Sequence, residues 1–163
     1  MGRQVSGDPD ANDTRRRTVR RVAGLLVLLV AWIHLLHPQY GLSTMLLYAE
    51  LGTIYDPRPP LFVLTGGALL AGAVLGYLGI RRRPLYAAGA CLMVVYVAGY
   101  VAWHTVLDHG AFWPHLAGHG HEEVGVAESL GHHLRNDTIA SVAKVTELIL
   151  LVLLSYLLWV DRE

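Results

Sequence analysis

The sequence is poor in cysteine, in lysine and in charge. Cys91 is the only cysteine, so the chain cannot form an internal disulfide framework. Charged residues make up 16% of the chain and the formal net charge is zero, which argues against the basic surface of a nucleic-acid-binding protein. No hydrolase elbow, phosphate-binding loop or dinucleotide-binding fingerprint is present. Soluble enzymes of those classes are therefore excluded as a first interpretation.

What the sequence has instead is apolar residues. They make up 53% of the 163 positions, and the mean hydropathy is +0.40. This balance is too apolar for an ordinary soluble domain and is typical of membrane proteins. The chain is also too short for more than one ordinary domain.

Four apolar runs are each long enough to cross a bilayer, which takes about 20 helical residues. Pro84 suits the start of the third helix, and Asn136 or Asp137 can cap the fourth. Residues 1–17 are polar and are expected to form a disordered cytoplasmic tail. We predict an all-α integral membrane protein whose membrane domain, residues 18–160, contains helices at about 18–37, 61–80, 84–107 and 138–160.

The arginines indicate how this bundle is oriented. They cluster before the first helix and at Arg81–Arg83, whereas the connections 38–60 and 108–137 carry only Arg58 and Arg135. Because positive loops stay in the cytoplasm, we predict an up-down bundle of the cell membrane with both termini cytoplasmic. The two arginine-poor connections are then extracytoplasmic loops.

The first outer loop, residues 38–60, is not plainly polar. Leu42, Met45, Leu46 and Ala49 recur at helical spacing, which predicts a short interfacial helix. The second outer loop, residues 108–137, is rich in histidine. In this topology every histidine lies on or near the extracytoplasmic face. The nine are His34, His37, His104, His109, His115, His119, His121, His132 and His133.

Two pairs of possible metal ligands lie at predicted helix ends. His34 and His37 are three residues apart on the first helix, and His104 and Asp108 are four apart on the third, so each pair shares a face. Together they would form a four-ligand site for zinc, copper or iron. The alternative is that these are interfacial side chains that bridge apolar and aqueous layers.

The second outer loop offers further donors for capture or completion of such a site. A loop must lose conformational entropy to coordinate, at about 1–2 kcal/mol per ordered residue, so the helix-end pairs are expected to matter more. A solvated loop without metal is the alternative interpretation. The loop donors are His109, His115, His119 and His121.

Haem b is a second cofactor that histidines could hold. His34 and His104, from different helices, could be its axial ligands. The small residues Ala68, Gly72 and Gly76, spaced by four, would leave room for the macrocycle, although this spacing is more typical of helix packing.

The fourth helix carries the two most unusual residues for a membrane span, Lys144 and Glu147. Glu147 is about 13 Å along the helix from Thr138, near the middle of the membrane. Intramembrane charges form relays, ion paths or internal pairs. Their spacing of three also allows mutual neutralisation, so both a structural pair and a relay remain open.

Three functions fit these features. The first is a membrane protein that binds a divalent transition metal at its outer face. The second is a haem- or metal-dependent oxidoreductase or hydrolase, for which Glu50, Glu122 or Glu147 is the available general base. The third is an accessory subunit that packs against a membrane-protein partner or a second copy through its glycine-rich helices.

Overall fold

The computed structural model of the protein describes residues 9–116 and 125–161, and every regular element in them is a helix. The described elements are four long helices, two shorter ones and a single 3-10 turn at Asp108–Gly110. The α-helices are α1 (Pro9–Leu35), α2 (Leu42–Leu51), α3 (Arg58–Tyr77), α4 (Arg82–Trp103), α5 (Val126–Asn136) and α6 (Thr138–Val160).

Four of these helices, α1, α3, α4 and α6, are long and apolar enough to cross a membrane. This confirms the predicted all-helical chain with four candidate spans. The bounds of α6 match the sequence prediction because Asp137 caps it, accepting a hydrogen bond from the Ala140 backbone N–H at 2.9 Å. The helices α3 and α4 begin two or three residues earlier than predicted and also end earlier.

The first helix begins at Pro9 and not near Thr18, so residues 9–17 are helical where a disordered tail was predicted. Proline suits a first helical turn, and Asp10 lies in that turn, where a negative charge is favourable. Further along, Asp13 pairs with Arg17 one turn later. These local interactions explain why the polar segment continues the apolar helix.

The packing of the long helices shows how α1 and α6 run relative to each other. The most extensive contacts are between α4 and α6, α1 and α3, and α1 and α6. Arg20 near the start of α1 binds Asp161 after the end of α6, whereas His34 near the end of α1 approaches Glu147 in the first half of α6. The two helices are therefore antiparallel. We call the end with Arg20 and Asp161 the arginine end and the opposite one the histidine end.

Large apolar side chains fill the bundle below the histidine end. Val30, Met93, Leu150 and Leu157 are each 0% exposed. The outward faces of the same helices are also apolar, with Leu64 70% exposed. Such a large apolar surface around a filled core is what a lipid-facing bundle requires.

The two shorter helices lie in the connections at the histidine end. The helix α2 matches the one predicted from apolar spacing in residues 38–60, and it packs on α3. The helix α5 was not predicted, although Leu130 and Leu134 are spaced for one helical face. It packs against α6, so part of the predicted loop is helical.

The ion pair at the arginine end gives a stability prediction. Arg20 donates from Nη2 to both carboxylate oxygens of Asp161 at 2.9 Å, and the two side chains are only 31% and 15% exposed. Asp161→Asn should lower the free energy of unfolding by about 1 kcal/mol, seen as a lower thermal midpoint in detergent. Asp13→Asn breaks the exposed pair with Arg17 and should have almost no effect; equal losses in both variants would contradict the assignment.

Candidate metal centre

Three histidines from three separate segments meet at the histidine end of the bundle. His104 follows the end of α4, His109 lies in the 3-10 turn and His133 belongs to α5. One ring nitrogen from each lies within 4.8 Å of the others, and all three residues are partly buried. The Nε2 atoms of His109 and His133 are 3.4 Å apart. Two nitrogens bound to one tetrahedral zinc at about 2.0–2.1 Å lie about 3.3 Å apart, so this spacing suits a shared ion.

His104 is held in the tautomer that a metal ligand needs. Its Nδ1–H donates to the backbone carbonyl of Tyr100 at 2.9 Å, which leaves Nε2 as the ligand atom. Burial lowers the pKa of His104 below its ordinary value, and the neighbouring His133 and His109 and the charge of Arg58 act in the same direction. His104 therefore favours the neutral form that binds metal.

His109 is positioned by an unusual turn. The φ angles of Asp108, His109 and Gly110 are 40°, 55° and 91°, so three consecutive residues have left-handed backbone conformations. Such a conformation costs a residue other than glycine about 1–3 kcal/mol, and strain of this kind clusters at functional sites. The turn brings the His109 ring to 5.1 Å from the His104 ring, centroid to centroid. It also leaves Asp108 Oδ1 3.9 Å from His109 Nδ1.

His133 completes the cluster from α5. Its ring centroid lies 4.6 Å from that of His104 and 5.3 Å from that of His109. Its neighbour His132 is exposed and interacts with Asn136, whose Nδ2 lies 3.0 Å from His132 Nε2. Adjacent residues on a helix face different directions, so once α5 forms, only one of the two histidines can face the bundle. Sequence reasoning missed His133 as a principal ligand because it treated this segment as a loop.

The structure does not bring His34, His37, His104 and Asp108 together as the predicted four-ligand site requires. His34 lies beside Glu147, about 13 Å into α6 from Thr138, whereas His104 lies beside His133 of the preceding helix. The two histidines are therefore at different depths. His34 Nε2 lies 3.5 Å from Glu147 Oε1. The carboxylate therefore occupies the position that the iron of a haem bound to His34 would need.

The other two members of that predicted set also differ from expectation. His37 stabilises the turn after α1, since its Nδ1 accepts hydrogen bonds from the backbone N–H groups of Gln39 and Tyr40 at 3.2 Å each. Burial lowers the pKa of His37. Asp108 does not share a helix face with His104, because α4 ends at Trp103.

The histidines predicted as loop donors lie in different places in the structure. His109 joins the cluster, whereas His115 packs against the ring of Tyr55 at 5.2 Å between centroids. His119 and His121 lie outside the described residues.

Contacts of Arg58 hold the connections at the histidine end of the bundle together, and we call them the arginine clamp. The Arg58 guanidinium lies between two aromatic rings, 4.1 Å from the centroid of Tyr40 and 4.5 Å from that of Trp103. Its Nε donates to Asp56 Oδ2 at 2.9 Å. The clamp fixes the end of α4 directly before His104, where cation–π contacts and a charged hydrogen bond act together.

Scans against protein families, characterised proteins and solved structures found no match to this chain.

Gly110 gives a test of the turn that positions His109. A Cβ there would lie 2.5 Å from Trp103 Cη2, and the φ of 91° disfavours any L side chain. Gly110→Ala should therefore destabilise the turn by about 1–3 kcal/mol and weaken metal binding. The control is Gly131→Ala in α5, where a Cβ meets nothing within 4 Å and alanine favours the helix. Metal affinity is measured by titration. If it falls equally in both variants, the turn does not position a ligand.

Proposed function

We propose that this chain is a multi-pass protein of the cell membrane that binds a divalent transition metal through His104, His109 and His133. The observation that carries the proposal is the convergence of His133 from α5 with His104 and His109, from which it is separated by at least 24 residues, with ligand atoms within 4.8 Å. Histidines placed in loops only for solubility have no reason to converge. The tautomer of His104 and the left-handed turn at His109 support the same conclusion.

Three nitrogen ligands favour zinc, copper or iron over magnesium or calcium, which take oxygen ligands. They also leave one position of a tetrahedral ion open for water or an exogenous ligand. The site faces the extracytoplasmic side in this proposal, because the arginines gather at the opposite end of the bundle. The lipid bilayer is then the partner of the apolar outer surface.

The open position supports a second candidate function, a metal-dependent hydrolase. A zinc ion with three histidines can lower the pKa of a bound water and generate a nucleophile. Zinc-loaded protein should then hydrolyse an activated ester such as p-nitrophenyl acetate, with activity lost on chelation. If the protein binds metal but does not hydrolyse the ester, the hydrolase function is contradicted and the metal-binding function still stands.

The proposal is tested by elemental analysis of protein purified in detergent. We expect close to one zinc, copper or iron per chain, and a thermal midpoint that falls when a chelator removes it, since a ligand bound only to the folded state stabilises that state. Metal-free protein that takes up none of these ions, with a stability indifferent to chelator, would contradict the proposal.

Metal occupancy should depend on pH. Imidazole binds metal only when neutral, so occupancy should fall as the pH decreases through ~6.5. The lowered pKa of His104 keeps that ligand neutral to a lower pH than an ordinary imidazole, so it should not be the first to be lost. Occupancy measured across the range where histidine changes charge, about pH 5–8, should decrease toward acid. A flat or opposite profile would mean that the histidines are not the ligands.

A further inference from the structure

A second polar cluster lies deeper in the bundle and takes no part in the metal centre. It consists of His34 from α1 and of Lys144 and Glu147 from α6. The side chains of His34 and Glu147 are 2% and 0% exposed, and that of Lys144 is 16% exposed. Lys144 Nζ donates to Glu147 Oε2 at 2.6 Å, while the other carboxylate oxygen, Oε1, lies 3.5 Å from His34 Nε2. Intramembrane groups of this kind are functional candidates.

The contact between His34 Nε2 and Glu147 Oε1 needs a proton that a neutral imidazole and an ionised carboxylate do not have. His34 Nδ1–H donates to the Val30 carbonyl at 2.8 Å, so Nε2 of a neutral His34 has no hydrogen. Glu147 Oε1 is buried and has no hydrogen-bond partner. A neutral imidazole and an ionised carboxylate would therefore present two acceptors to each other in a water-poor environment, which is unfavourable.

Lys144 does not supply the missing proton, because its ammonium group is well placed where it is. Nζ lies 3.4 Å from the Tyr96 carbonyl oxygen, and 5.7 Å and 5.2 Å from the ring centroids of Tyr96 and Tyr100. A cation gains from both kinds of contact.

The surroundings offer little else to satisfy the pair. The titratable groups that face it are His37 from the turn after α1, Tyr96 and Tyr100 from α4, and Lys144 on α6 itself. The helix α3 contributes Phe62, whose ring centroid is 4.6 Å from that of His34, and Thr65, which accepts a hydrogen bond from Tyr96. Tyr96 also stacks on His34 at 4.2 Å.

We propose that His34 and Glu147 form a membrane-buried proton-binding site, which holds one proton between Nε2 and Oε1 at neutral pH. With the proton bound, the pair is either imidazolium and carboxylate or imidazole and carboxylic acid, and both forms make the missing hydrogen bond. Release of the proton leaves neutral imidazole and carboxylate, while Lys144 keeps its charge. The site joins α1 to α6, so its proton stabilises the contact between those helices.

The test uses the full chain in detergent micelles with chelator present, so that its result does not depend on the metal centre. Nitrogen NMR of labelled histidine reports a proton on His34 Nε2, and the ring is assigned through contacts with the ring protons of Phe62 and Tyr96. Infrared difference spectra between wild type and Glu147→Gln report a proton on Glu147. We expect one of the two signals at neutral pH, and its loss in Glu147→Gln.

Glu147→Gln keeps the size of the side chain and can still hydrogen-bond both neighbours, so the variant should fold. The control is Glu128→Gln, which changes an exposed carboxylate on α5 and should leave both spectra unchanged. If Glu147→Gln fails to fold, wild type alone is used. Its nitrogen spectrum is examined for a proton on His34 Nε2, and its infrared spectrum, recorded with isotope-labelled carboxyl groups, for a proton on Glu147. Absence of both signals in wild type, or an Nε2 proton that persists in Glu147→Gln, overturns the proposal.

Discussion

Replacing His133 with alanine is expected to remove most of the bound metal, whereas replacing His132 with alanine should leave occupancy close to that of wild type. Both residues belong to α5 and are adjacent, so the two variants have the same effect on charge and nearly the same effect on helix propensity. Only His133 faces His104 and His109. Loss of one of three ligands should weaken binding at least about 100-fold, since even the loss of an outer-shell partner weakens it 10–100-fold.

The same titration separates the structure from the sequence-based prediction for His34. The sequence predicted that either His34→Ala or His104→Ala would remove most metal and that deleting residues 115–121 would mainly slow uptake or weaken affinity. The geometry predicts instead that His104→Ala removes metal and that His34→Ala does not, because His34 belongs to the deeper cluster. Loss of metal in His132→Ala, or retention in His133→Ala, would mean that the wrong histidines have been assigned.

Replacing Glu147 with alanine is expected to destabilise the bundle by about 3–5 kcal/mol, the range for breaking one side of a buried ion pair. The variant leaves the Lys144 ammonium, whose side chain is only 16% exposed, without its carboxylate. It also opens a cavity next to His34. The thermal midpoint and the resistance to denaturant in detergent should both fall sharply.

The double variant Lys144→Met with Glu147→Leu is the matched control. It removes both charges and fills similar volume, and replacements of this kind are often neutral or stabilising. It should therefore recover most of the stability that Glu147→Ala loses. If the single variant is as stable as wild type, the pair does not stabilise the bundle, and if the double variant is no better than the single one, the loss comes from packing and not from the unpaired charge.

The four long helices could be predicted from sequence because each contains a strongly apolar segment of about spanning length with few charges. For α6 the bounds were also correct, since Asp137 provides a local cap. The start of α1 was placed too late because composition does not reveal contacts such as that of Arg15 with the Tyr156 ring, 5.5 Å from its centroid.

For the candidate site, the sequence predicted only that histidines are the ligands and at which end of the bundle they lie. The pairing of His104 with Asp108 assumed a helix through residue 107, but α4 ends at Trp103 and the chain enters a left-handed turn. The pairing of His34 with His104 assumed equal depth, which depends on how far α1 extends relative to α4. These properties are set by contacts between segments and not by local spacing.

The central claim is most directly tested by X-ray absorption at the metal edge of the loaded protein, compared with a variant in which His104, His109 and His133 are all alanine. Wild type should show about three imidazole nitrogens at ~2.0–2.1 Å if the metal is zinc, and the triple variant should bind no metal at that stoichiometry. A wild-type spectrum without imidazole scattering, or an unchanged spectrum and occupancy in the triple variant, would contradict the assignment of the site.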